Sequence, residues 1–457
     1  MGQVILTILG GGGFRVPLVY EAVAAARDRV PVDEVVLLDD DPDRLAVMAD
    51  VLRQVGGHGQ AAGGAYTAGA PRVRATTDLD EALTGADVIF SAVRVGGTAG
   101  RTRDERVALG EGLLGQETVG PGGLAYALRT VPEVDRIAAR IAELAPRAWT
   151  ISFTNPASIV TEAMRARLGD RVVGICDTPI SLVRRALRAV GLDARAFDRG
   201  DVTIDYAGLN HLGWLRGIRA GGEDLLPALL ADDAALGGLE EARLMGAGWL
   251  RALRAVPNEY LYYYDFTREA VAGIAAQEST RGEFLLGQQA RFYEAAAAEP
   301  GRAAELWRTA LAEREATYMA TEREAQQAGE RAEEDLGGGY HEVAVDLMAA
   351  LLGGEEHRMI LDVANTGADG QPLVAGLPAD AVVEVPVHVD GEGVHPLPVE
   401  RPLEPAMLAR VQAVKASERL VIEAARTRSP QTAWLAFGMH PLVDSAEVAR
   451  RLVDAYL

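Results

Sequence analysis

The 457-residue chain is 49% hydrophobic and 24% charged, an ordinary globular balance at a length that can bury a large core. A formal charge of −21 excludes the clustered cationic surface that a nucleic-acid backbone requires. A single cysteine, Cys176, excludes an intrachain disulfide and fits a reducing compartment, and a single lysine, Lys415, leaves anion binding to arginines, hydroxyls and backbone N–H groups.

The segment from Met1 to Leu9 lacks a basic leader region and runs straight into glycines, so it reads as a first strand and not as a signal peptide. No uncharged apolar run reaches the ~18 residues that a membrane span needs. A cytoplasmic protein without a membrane partner is expected. Residues 4–9 carry a buried-strand pattern, Gly10-Gly11-Gly12-Gly13 follows, and residues 16–26 are patterned as a helix. Strand, glycine turn and helix make a dinucleotide-binding start, because glycines let the backbone approach a pyrophosphate seated on the helix N-terminus. The turn continues into Phe14 and Arg15, and Arg15 stands where a strict G-x-G-x-x-G would place its third glycine. A second strand over 34–38 ends at Asp39-Asp40-Asp41, near the usual distance for a ribose-binding carboxylate. An acid there favours NAD over NADP. A helix over 79–84 and a strand over 86–93 add a further unit, giving a Rossmann-type parallel sheet.

Arg94 follows that strand, and Arg101-Thr-Arg-Asp-Glu-Arg106 reads as a charged, solvated loop and helix start. The glycine-rich loop 115–123 precedes a helix over 124–144 and serves equally well as connector or ligand contact. Strands over 149–153, 172–175 and 204–209 are followed by Asn155, Cys176 and His211 respectively. Residues just past the carboxyl ends of strands line the crevice of an open α/β sheet. A thiolate and an imidazole emerging there suit a divalent transition metal, although each residue alone is also explained by packing.

Beyond residue 200 the pattern turns helical, over 225–236, 239–256 and 302–334, interrupted by 257–264. Four tyrosines lie within 260–264, where they can pack or accept protons. Residues 359–389 read as β structure and the tail from Pro405 as helix. The expected organisation is an NAD-binding Rossmann-type domain over 1–200 and an α+β substrate domain over 201–457 capping it, with the cleft between them.

An ordered set of motifs spans nearly the whole chain: Gly10–Gly13 with Pro17, Arg101-x-x-Asp-Glu-Arg, Gly115-Gln-Glu-Thr, Phe153-Thr-Asn-Pro, Gly174-x-Cys-x-x-Pro, Gly208-Leu-Asn-His and Pro257-x-x-Tyr-Leu-x-Tyr-Tyr. It continues through Gly337-Gly-Gly-Tyr340, Asn365, 379–386 and His440-Pro-Leu. On these motifs the chain resembles glycoside hydrolase family 4 and looks most like its 6-phospho-β-glucosidases, NAD-dependent exceptions to the two-carboxylate scheme of glycosidases.

The resemblance implies NAD⁺, a divalent metal such as Mn²⁺, a small phosphorylated glycoside as substrate, and a homodimer or homotetramer. It implies Cys176 and His211 as metal ligands, and Asn155, Arg94 and Arg281 as substrate contacts. Tyr260, or a close neighbour of it, is implied as the base, and Asp104 as the carboxylate that raises its basicity. The implied route oxidises carbon 3, removes the acidified proton of carbon 2, expels the aglycone, adds water and returns the hydride. Two positions depart from the pattern. Gly12-Gly-Phe-Arg15 replaces the hydroxyls that hold phosphate in 6-phospho-β-glucosidases, leaving Arg15 to supply the charge. Asp177 follows Cys176, where β-specific members carry Asn and α-specific members an acid that donates a proton, so the anomer is open. The competing readings are an NAD-dependent hydroxy-acid dehydrogenase, which would form NADH, and an NAD-binding sensor without chemistry.

Overall fold

The computed structural model describes residues 3–57, 70–317 and 339–457. Within them one sheet of 13 strands runs through the molecule. Its first half comprises β1 (Val4–Leu9), β2 (Val32–Leu38), β3 (Arg72–Thr76), β4 (Val88–Ser91), β5 (Trp149–Ser152) and β6 (Val172–Gly174), all parallel, in the order 3-2-1-4-5-6. That is the order of a dinucleotide-binding sheet, and it puts the switch point between β1 and β4. Helices on both faces leave β4, β5 and β6 wholly buried, so even their polar residues, Ser91, Thr150 and Ser152, lie in the interior.

The second half adds its strands to the free edge of β6. Antiparallel β11 (His357–Ala364) pairs with β6, then β12 (Val382–Asp390), then β7 (Thr203–Leu209), β8 (Leu212–Ala220) and β10 (Val256–Pro257) follow. The short β9 (Glu223–Asp224) and β13 (Gly393–Pro396) pair with β8 and β12. The α+β half therefore shares hydrogen bonds and an apolar core with the parallel half: a single cluster takes in Leu6, Val88, Val173, Leu215, Val385 and Leu442.

The helices used below are α1 (Val16–Ala25), α2 (Pro42–Val55), α3 (Leu79–Leu83), α4 (Gly97–Gly110), α5 (Pro121–Leu144), α6 (Ala157–Leu168), α7 (Thr178–Ala189), α8 (Arg281–Ala298) and α9 (Ala303–Ala316). A tail of α10 (Tyr340–Gly353), α11 (Pro405–Thr427), α12 (Pro430–Met439) and α13 (Ala446–Tyr456) completes them. No helix among the described residues is long and apolar enough to cross a membrane.

Three expectations need correcting. The charged run 101–106 is neither loop nor solvated face. It lies inside α4, where Arg101, Asp104 and Glu105 are buried and paired. The helix expected over 225–236 is split at Asp232, whose side chain caps a second short helix, Asp233–Gly237. That over 239–256 is broken at Gly246, with φ of +81°, and ends in β10. The remainder of the long helix expected to reach residue 334, and Gly337 and Gly338, lie outside the described residues.

Candidate active site

The turn after β1 is shaped by backbone. The N–H groups of Gly10 and Gly11 both donate to Leu38 O, which folds the chain over the end of β2. Gly10 sits at φ +82°, and a Cβ there would lie 2.6 Å from Ala92 O. Asp39 accepts from the Gly12 N–H at 2.8 Å and so anchors the turn to the end of β2. Phe14 packs edge-on against Phe292, and its carbonyl accepts from Trp307. The resulting cleft of about 980 Å³ is lined by Gly10, Gly12, Gly13, Phe14, Arg15 and Asp39 among others. Its size and position, over strand ends at the switch point, suit a dinucleotide.

A second cavity of about 390 Å³ shares Arg15, Arg94, Asn155 and Tyr340 with the first, so the two form one groove. Into it the structure brings Cys176, Asp177, His211, Tyr260, Tyr263 and Arg281. Asn155, joined to Pro156 by a cis peptide bond, stands at the seam. Cys176 follows β6, and His211 is the second residue of the two-residue turn between β7 and β8. Sγ of Cys176 and Nε2 of His211 are 3.7 Å apart.

The other ring nitrogen of His211 is held by the loop before α5. Thr118 Oγ1 lies 3.1 Å from His211 Nδ1 while donating to Gln116 Oε1. With its proton spent there, the hydroxyl accepts from Nδ1–H, which leaves the Nε2 lone pair facing Cys176. Burial pushes the His211 pKa down to about 3, so the imidazole is neutral. Burial, with Asp177 and Glu384 nearby, pushes the Cys176 thiol up. A neutral imidazole and a thiol that ionises when a cation takes its proton's place fit a divalent metal. Among the described residues no third His, Cys, Asp or Glu joins them, so this donor pair leaves coordination positions for other oxygens.

The tyrosines divide. The ring of Tyr260 stacks on His211, centroids 3.6 Å apart and planes 4° apart, and Tyr263 lies 5.9 Å beyond it. Tyr264 instead faces His440 on the far side, and burial pushes its pKa up. Asp104 does not join this group. Both its oxygens accept from Arg129, at 2.8 and 2.7 Å, and its backbone carbonyl accepts from Tyr456. Its polar contacts among the described residues include none with the 260–264 segment, because α4 turns that face toward α5.

Glu117 escaped the sequence reading. It pairs with Arg94 at 2.9 Å and with Arg101 at 2.7 Å. Burial opposes its ionisation, but Arg101 and Arg94 outweigh this and hold the carboxyl down at about 2. Arg101 also bonds Glu105, whose second oxygen accepts from the Gly282 N–H and so docks the start of α8, with Arg281, against α4. Arg314 on α9 escaped as well. It lines the same cavity half-buried, and desolvation there together with the nearby Arg15 and Arg281 pushes its pKa well down. Three guanidiniums in one place mark an anion site. The only sequence sign was the G-Q-E-T motif for Glu117; helix periodicity hides Arg314 among other charges.

Comparison with known proteins agrees with this architecture. The family described as "Family 4 glycosyl hydrolase" matches residues 5–192, and "Family 4 glycosyl hydrolase C-terminal domain" matches 206–443. A probable 6-phospho-β-glucosidase of Bacillus subtilis is 31% identical over 471 residues, covering 100% of this chain and 96% of the relative. The solved 6-phospho-β-glucosidase of Thermotoga maritima, with manganese, NAD⁺ and glucose-6-phosphate, superposes with a TM-score of 0.78 at 25% identity, covering 99% of this chain and 98% of that one. A 6-phospho-α-glucosidase from gut microorganisms, with NAD and glucose-6-phosphate, gives 0.79 at 26% identity, covering 100% and 97%. With both of its halves matched, the chain belongs to family 4 of the glycosyl hydrolases.

Proposed function

We propose that this protein hydrolyses 6-phosphorylated β-glucosides with NAD⁺ and Mn²⁺ as catalytic partners. The observation that carries the reading is the stack of Tyr260 on His211, itself facing Cys176, where the cleft over the glycine turn opens into the second cavity. Cys176 Sγ and His211 Nε2 would hold the metal, and Gly10, Gly11, Gly12 and Gly13, with Phe14, Arg15 and Asp39, the dinucleotide. Bound there, the two supply reversible removal of hydride from carbon 3 and Lewis-acid polarisation of the ketone that results, which acidifies the proton on carbon 2. A relative solved with manganese, NAD⁺ and glucose-6-phosphate supports the choice of these partners.

The chain's own residues then act around the sugar. Tyr260 accepts the carbon 2 proton; Tyr263, in the same cavity, is the alternative acceptor. Asn155 and Arg94 hold the sugar, with Glu117 fixing the guanidinium of Arg94. Arg15, Arg281 and Arg314 receive the 6-phosphate, whose charge offsets their mutual repulsion. That cluster answers the absence of hydroxyls after the glycine turn.

Asp177 favours a second reading, hydrolysis of α-linked 6-phosphoglucosides. It lines the cavity directly behind Cys176, where an acid can protonate a leaving group. The 6-phospho-α-glucosidase from gut microorganisms is as similar in structure as the β-specific one. A panel of α- and β-nitrophenyl glucosides, each with and without 6-phosphate, assayed with NAD⁺ and Mn²⁺, decides the matter. Release of nitrophenol from the β-phosphate alone supports the first reading, and from the α-phosphate alone the second. Stoichiometric NADH would overturn both in favour of a dehydrogenase.

A further inference from the structure

From Cys176 to His211 runs a row of polar side chains to which the chemistry above gives no part, its ends Thr178 and Asn210 lining the cavity and its middle buried. Thr178 Oγ1 lies 3.3 Å from Cys176 Sγ. Asn258 Nδ2 donates to that same oxygen at 2.8 Å, so the hydroxyl proton is left for the sulfur. The Asn258 side chain also lies next to the Tyr206 hydroxyl, and that hydroxyl donates to Glu384 Oε2 at 2.7 Å. The other oxygen of Glu384 accepts from Asn210 Nδ2 at 3.0 Å. Asn210 immediately precedes His211. The row thus begins at one candidate ligand and ends beside the other. It reaches the tyrosines too, because Asn258 Oδ1 accepts from the Tyr260 N–H at 3.0 Å.

Three features show that the fold is built around this row. Asn258, Tyr206 and Glu384 are each at most 1% exposed. Glycines make room for it: a Cβ on Gly213 would lie 2.3 Å from the Tyr206 hydroxyl oxygen, and Glu384 stands directly across the sheet from Gly208. The turn it braces is strained. His211 has φ of +62°, a left-handed conformation that a non-glycine residue keeps only when its surroundings over-determine it.

We infer that Thr178, Asn258, Tyr206, Glu384 and Asn210 form a positioning belt, with Glu384 as its central acceptor, that sets the spacing of Cys176 and His211 for a divalent cation. The inference rests on the metal reading of those two residues. Asn258, Tyr206 and Glu384 lie too deep to touch the sugar. They act by denying the turn its relaxed conformation, as outer partners do around metal ligands generally.

The test is binding of Mn²⁺ to the full-length protein with NAD⁺ present, read from the electron paramagnetic resonance of free Mn²⁺. Tyr206→Phe removes only a hydroxyl and keeps the ring. Glu384→Leu removes both acceptors, and Glu384→Gln keeps an acceptor for Asn210. Mn²⁺ affinity should fall about 10–100-fold in Glu384→Leu, less in Tyr206→Phe, and recover in Glu384→Gln, the range seen for outer-shell partners. NAD⁺ affinity should stay near wild type in all three, with circular dichroism confirming the fold. If Glu384→Leu does not fold, Tyr206→Phe alone decides. Wild-type Mn²⁺ affinity in folded Tyr206→Phe and Glu384→Leu would overturn the belt and leave the metal reading standing. Failure of the wild-type protein to bind Mn²⁺, with Cys176→Ser no different, would overturn the metal reading and the belt with it.

Discussion

The cleft over the glycine turn and the cavity around Cys176 adjoin at Asn155, yet they are made in different ways. The first is shaped at its floor by consecutive residues: one turn, its φ angles and the carboxylate of Asp39 set it, and backbone N–H groups hold that turn in place. The second is made of side chains from β6, the β7–β8 turn, the loop before α5 and the segment after β10, none of which are neighbours in sequence. A site of the first kind is broken by a Cβ in the wrong place. One of the second kind is broken by removing a single polar atom at a distance. The two should therefore fail independently.

The largest effect is expected from the assembled site. Chelation, or Cys176→Ser, should abolish turnover while NAD⁺ binding, followed by calorimetry, remains; loss of both together would join the two regions that the structure keeps apart. Tyr260→Phe should cost about 10²–10⁴ in kcat, the usual span for a general base, with little change in KM. In D₂O the wild-type product should carry deuterium at carbon 2. A nearly wild-type Tyr260→Phe beside an inactive Tyr263→Phe would move the role to the neighbouring ring, and a product without deuterium would end the elimination route.

In the backbone-made site, Gly10→Ala forces φ of +82° on a residue with a Cβ that meets Ala92 O. A loss on the order of 1–3 kcal/mol is expected in thermal unfolding, with weaker NAD⁺ binding and unchanged Mn²⁺ binding. A change in Mn²⁺ affinity of similar size would show that the turn also shapes the metal side.

The smallest effect concerns pH. Glu117 is held at about 2 against an ordinary 4.5, so it contributes stability at every pH above 4.5 and loses it as pH falls from there through about 2. Glu117→Gln should lower Tm at pH 7, and the gap from wild type should close on acidification. A gap that stays constant to pH 2 would show that the carboxylate charge is not what holds Arg94 and Arg101.

Legibility in the sequence follows the same division. The strand 4–9 and the turn after it were readable because a buried parallel strand is apolar throughout and a tight turn asks for glycine. Cys176, His211 and Asn155 were readable as strand-end residues, and the structure brings all three to one groove. The pairing of Asp104 with Arg129 was not legible, because motif order says nothing about which way a helix faces. Glu117 was missed because a charge held between partners looks, in sequence, like a charge on a solvated face, and Arg314 because helix periodicity does not say which charges turn toward a cavity.

What the sequence by itself determined here is what neighbours in the chain decide: the order of strands and helices, the glycine turn, and the residue types available at strand ends. Only the tertiary structure decided that β11 would pair with the edge of β6 and carry β12 beside β7, putting Glu384 across from Gly208 near the β7–β8 turn, and that Tyr260 would lie flat on His211. Those outcomes depend on packing between segments up to 188 residues apart, as Gly174 and Asp362 are. Local propensity carries no record of such contacts, because they exist only once the chain has closed on itself.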